Sequence, residues 1–139
     1  MKNIRSFCLC LVVFFLFDCE GSSPSKEDYD RIELPSGRQI EVIEFGLKAG
    51  LKIENLFTIK SKDFSNVYFI AGQITGPGMN NVIGVWATGG KYETSLTHSV
   101  NHIAAEFSDY PLGSGTKAEI SMNDDGAKIV EQYVRDKVQ

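Results

Sequence analysis

Three side chains able to ligate a metal recur every fourth residue: His98, His102 and Glu106. On one helix they would put two imidazoles and a carboxylate on a single face, a donor set suited to zinc or another transition metal. Ligands spread over two turns converge on one ion only if the helix bends, so a solvated polar face is the simpler reading. Nucleophilic chemistry has less to draw on. The chain has no Gly-x-Ser-x-Gly motif, and Ser114, in Gly113-Ser114-Gly115 after Tyr110-Pro111, reads as a loop. Gly72, Gly76 and Gly78 have the spacing of a phosphate cradle but sit in and after a strand-like run, with another strand following. No helix N-terminus is there to meet an anion. Asp124 and Asp125 read as a helix cap rather than an acid–base pair. Trp86, the only tryptophan, suits core packing or a stacking platform for a ligand.

Binding chemistry has better candidates. The stretch Gly76-Pro77-Gly78-Met79-Asn80-Asn81 sets an adaptable apolar side chain among glycines and amides, where Met79 is expected to face solvent. Met79, Asn80 and Asn81 are therefore the predicted partner-binding tip. The turn Gly89-Gly90-Lys91-Tyr92 is a second candidate surface.

The elements that must position these residues can be read from periodicity. Val67–Thr75 and Val82–Thr88 are two β-rich runs joined by the glycine-proline loop, which predicts a central hairpin over about 67–88. The first run is apolar on both faces, so it is expected to be covered on both sides. Arg38–Glu44 alternates Ile40 and Val42 with Gln39 and Glu41 and predicts a half-buried strand. Leu51–Ile59 predicts another, broken near Glu54-Asn55 because its apolar pairs fall out of step. Lys117–Met122 reads as a short strand. Val100, Ile103, Ala104 and Phe107 form one apolar stripe and predict a helix over about 99–108. A second stripe through Ile129, Val130, Tyr133, Val134 and Val138 predicts a helix over about 123–138, capped by Asn123 or Asp124. The expected fold is α+β, a mainly antiparallel sheet with two packed helices.

Composition bounds what such a domain can do. With 42% hydrophobic and 23% charged residues the chain is expected to form a folded body, and 139 residues suffice for one domain. Fourteen Lys and Arg stand against eighteen Asp and Glu, with no basic cluster, which excludes nucleic acid as an expected partner.

The N-terminus carries the clearest functional information. Lys2 and Arg5 precede an uncharged run from Ser6 to Phe17, as in an export signal. Twelve residues at about 1.5 Å each give about 18 Å, short of a hydrocarbon core of about 30 Å, so a permanent membrane span is the weaker reading. Leu16-Phe17-Asp18-Cys19 resembles the lipobox of bacterial lipoproteins. Leu16 and Cys19 match its pattern, while Phe17 and Asp18 stand where that family has small, uncharged residues. The resemblance implies cleavage before Cys19 and attachment of lipid, with acyl chains such as palmitate, to its sulfur. Cys8 and Cys10 would leave with the signal, so no intramolecular disulfide could form in the mature chain.

The expected organisation is a signal peptide over 1–18, the lipid-attachment Cys19 with a flexible polar tether over 19–30, and one globular domain over 31–139. The expected function is a small cell-envelope protein, held to a membrane by lipid and facing the periplasm or exterior, or secreted if not lipidated. It would bind another envelope protein, with no cofactor and no catalysis of its own. The alternatives are an exported metal-binding protein or enzyme, for which His98, His102 and Glu106 speak, and an inhibitor-like or immunity-like module.

Overall fold

The computed structural model describes residues 23–92, 94 and 96–139, so Cys19 and the export signal lie outside the described residues. Its centre is a four-stranded antiparallel sheet in the order β1 (Lys52–Lys60), β2 (Tyr68–Thr75), β3 (Val82–Thr88), β4 (Thr97–Ser99). The predicted hairpin is thus the middle of the sheet. Side chains alternate across β2 and β3, and both faces are dry. Ile59, Phe69, Ala71, Val85 and Ala87 meet Ala127, Val130 and Val134 of α4 (Ala127–Val138). On the opposite face Ile53, Ile70, Ile74 and Trp86 meet Ile43 of α2 (Gly37–Gly46) and Ala104 of α3 (His102–Phe107). The architecture is α+β, with helices on both sides of the sheet.

The break expected in β1 is present. Its register against β2 shifts between Glu54 and Phe57, and Asn55 takes φ 52°. One bulge turns Ile53 toward α2 and Ile59 toward α4, which is why the apolar pairs looked out of step.

The expected strand at Arg38–Glu44 is instead helix α2. Ser36 and Gln39 form a reciprocal capping box: the Ser36 hydroxyl accepts from Gln39 N, and the Gln39 carbonyl accepts from Ser36 N at 2.9 Å. The residues that bury are Gln39, Ile43 and Gly46, a helical spacing, while Ile40 and Val42 are only half-buried.

Two helix starts and one short strand also differ from expectation. Helix α3 starts at His102 because Thr97–Ser99 pairs with β3, and Asn101 caps it by accepting from Ala104 N at 2.9 Å. Helix α4 starts at Ala127 after Gly126 at φ 102°, without a side-chain cap. Asp124 accepts from Ser121 N, and Asp125 accepts from Arg31 and Lys62 N instead of capping α4. Residues 117–122 form no strand; Ile120 alone among them is buried.

The expected tether ends early. Lys26–Asp30 is a helix, α1, opened by a Ser25–Asp28 capping box. Tyr29 stacks edge-on against Tyr133 of α4 at 5.2 Å and donates its hydroxyl proton to Asp136 at 2.7 Å. Arg31 makes a two-pronged contact with Asp125 at 2.7 and 3.2 Å. Beyond it, Glu33 pairs with the outer edge of β1 at Thr58, and the chain crosses to α2. Among the described residues no helix is long and apolar enough to cross a membrane.

Candidate functional site

A groove of about 760 Å³ opens on the α2 side of the sheet, between that helix and the segment leading into β4. Its wall begins with the close approach of Tyr110 to α2. The aromatic ring occupies the space a side chain at Gly46 would need, and the phenol donates to the carbonyl of Val42. Lys48 N to Phe107 O at 3.0 Å and Asp109 N to Gly46 O at 2.9 Å fasten the same two chain segments together.

With Ile43 turned into the core, Phe45 must point outward, and it is 89% exposed. Tyr92, 72% exposed, lines the same groove from the facing segment. That segment is tied to the start of α2: Lys91 Nζ meets Glu33 at 2.8 Å, and the Lys91 carbonyl accepts from the Ser36 hydroxyl. Beneath, Gln39 is fully buried and reaches Thr88 Oγ1 at 3.4 Å; the Thr88 hydroxyl donates to Gly90 O at 2.9 Å. Two uncapped leucines, Leu34 and Leu96, 73% and 67% exposed, belong to the same connecting segments.

The groove carries charge as well as aromatic surface. Arg38 and Glu41 approach to 3.3 Å with both side chains about two-thirds exposed, so water screens the pair. Burial, and then the neighbouring Asp109 carboxylate, push the Tyr110 phenol above its ordinary pKa. The hydrogen bond to Glu33 holds the Lys91 ammonium above its own. This arrangement can take up a ligand by stacking and charge. Among the described residues it sets no nucleophile beside a base.

The residues singled out by spacing lie elsewhere. His98 is on β4, opposite Ala87, while His102 and Glu106 are exposed on α3, so the helical face shared by all three does not form. No group of three His, Cys, Asp or Glu side chains among the described residues is placed to hold a metal. Met79 is half-buried against the core beneath α2 and α3 and does not project into solvent; Asn80 and Asn81 are exposed. That hairpin tip is at the Val82 end of β3, whereas the groove is at the Thr88 end. Trp86 is fully buried and donates Nε1–H to Ser108 Oγ at 3.1 Å, so its ring packs and offers no platform. The Ser114 hydroxyl is exposed in a short 3-10 turn, and Lys117, three residues on, makes no hydrogen bond to it.

Of the expected surfaces, only the Gly89–Tyr92 turn contributes to the groove. Phe45, Arg38 and Glu41 were hidden by the strand reading of their segment. The signal that could have found them is the Ser36-Gly37-Arg38-Gln39 capping box, which sets a helical register and leaves Phe45 off the buried stripe. Compared with protein-family models, curated proteins and solved structures, the chain matches none.

Proposed function

We propose that this protein is an exported binding module, anchored through lipid on Cys19, that engages another component of the bacterial cell envelope through the α2 groove. It performs no chemistry of its own. The observation that carries the reading is Phe45: a phenylalanine left 89% exposed beside the exposed ring of Tyr92, in a groove held by fixed backbone contacts. Covering one such side chain contributes on the order of 1.5–3 kcal/mol, and aromatic anchors in a shaped recess commonly dominate an interface. The anchor rests on Leu16, Cys19 and the apolar run before them.

Two experiments test the two halves. The intact mass of protein from its native membrane, compared with a Cys19→Ser variant, should begin at Cys19 and include a lipid that the variant lacks; an uncleaved or unlipidated mass removes the anchor. A photo-crosslinking phenylalanine analogue at position 45 should trap an envelope component that the same analogue at position 80 does not. Trapping from position 80 alone would move the contact surface to the hairpin tip.

A further inference from the structure

The groove has a charge character that narrows its partner. Three aromatic rings, Phe45, Tyr92 and Tyr110, line it, and their faces carry partial negative charge. Glu41 stands among them, and the Asp109 carboxylate, exposed and in no ion pair among the described residues, acts on the neighbouring Tyr110 phenol. Against these two carboxylates, Arg38 is the lining cation among the described residues, while Lys91 is already engaged by Glu33. The local excess is negative, and so is the whole chain, at a net charge of −4.

Resting on the reading of this groove as the contact surface, we propose that its occupant is a basic segment of a protein partner. Arg or Lys side chains would lie over the rings of Phe45 and Tyr92, with Glu41 and Asp109 as counter-charges. Rings and carboxylates act together here. A cation over an exposed ring is attracted by the ring's quadrupole, and the carboxylates raise the local concentration of cationic segments before contact. The exposed Leu34 and Leu96 on the adjoining segments favour a polypeptide, whose apolar side chains and Arg or Lys stems can cover them. An anionic ligand would face the carboxylates directly, and a neutral sugar would leave both the charges and the leucines unmatched. The screened contact between Arg38 and Glu41 does not block the site, because an incoming cation can replace it at little loss.

The role of Arg38 makes the proposal testable. Among the described residues it is the one lining cation that opposes such a partner, so Arg38→Ala should tighten binding, whereas truncating an interface arginine ordinarily weakens it. The probe is a fluorescent ten-residue peptide alternating Arg and Ala, titrated into the full chain in non-ionic detergent, against a counterpart with Glu for every Arg. The Arg peptide should bind and the Glu peptide should not. Affinity should fall with salt, weaken about two- to fivefold in Phe45→Ala and Asp109→Asn, and strengthen by a similar factor in Arg38→Ala. Equal binding of the two peptides, weakening in Arg38→Ala, or no binding of the Arg peptide overturns the proposal. If the Arg peptide fails while crosslinking at position 45 succeeds, the contact surface survives and only its preference for a basic partner falls.

Discussion

The ring of Tyr110 lies where a side chain on residue 46 would have to be, so Gly46 is the contact that lets the post-α3 segment close against α2. Its φ is not in the left-handed region; the need for glycine is one of space. Gly46→Ala should displace the ring and destabilise the fold by about 1–3 kcal/mol, read from the urea midpoint. Tyr110→Phe keeps the ring and loses only the hydrogen bond to Val42 O, with an expected loss of about 1 kcal/mol. Equal stability of Gly46→Ala and the parent would show that the ring moves aside freely.

Phe45 and Ile43 give a sharper comparison. In a strand they would share a face; in α2 they do not, and the first is exposed while the second is fully buried. Phe45→Ser should change stability by no more than about 0.5 kcal/mol, and Ile43→Ala should cost about 2–5 kcal/mol. Comparable losses at both positions would contradict the helical register.

Ser108 sits at the centre of a buried polar cluster. It accepts from Trp86 Nε1–H, donates to Ala104 O and lies 3.3 Å from the Ser99 hydroxyl, which itself donates to Tyr110 O. Ser108→Ala leaves the buried indole N–H without a partner, at an expected loss of about 1–3 kcal/mol. Because Trp86 is the only tryptophan, its emission reports both the altered surroundings and the unfolding midpoint.

The docking of α1 on α4 should depend on pH at both extremes. The Arg31 hydrogen bond holds the Asp125 carboxyl below the ordinary 3.8, and the Tyr29 hydroxyl does the same for Asp136. A depressed carboxyl contributes stability that is present above its unfolded pKa and disappears as pH falls through the lower folded one, here below about 4. Burial and then Asp136 push the Tyr29 phenol up to about 12 from 10.0, so its contribution is complete below pH 10 and is lost as pH rises toward 12. Protection of the Lys26–Arg31 amides from exchange, relative to the unfolded chain at the same pH, should therefore fall below pH 4 and above pH 10 before that of the sheet does. Simultaneous exchange of β2 and α1 across the whole range would show that α1 has no independent docking equilibrium.

These relationships were unequally legible in the sequence. The hairpin, the bulge in β1 and the stripes of α3 and α4 could be read because each follows from apolar spacing within one segment. Arg38–Glu44 misled because Ile40 and Val42 alternate, whereas burial there is decided by Gln39, a polar residue that hydropathy counts as surface. Gln39 is buried because Thr88 and Ser36 satisfy its amide, a fact of tertiary pairing. The groove inherits the same difficulty. Its walls come from α2, the segment before β4 and Tyr110, and the one local mark of Phe45, the capping box that sets the helical register, is outweighed by the alternation of Ile40 and Val42. Met79 failed in the opposite sense, since a loop of glycines and amides still folds its one apolar side chain back onto the core.

The early start of α1 sets a leash length. From Cys19 to the Ser25 cap there are six residue steps, which reach about 20 Å at full extension. Under the proposed anchoring, a body of this size, with a radius of gyration of about 13 Å, rides almost against the lipid surface. Because α1 packs on α4, the Ser25 end of that reach is on the face of the sheet opposite the α2 groove. Such a protein would patrol a layer one domain deep and meet its partners mostly by lateral diffusion.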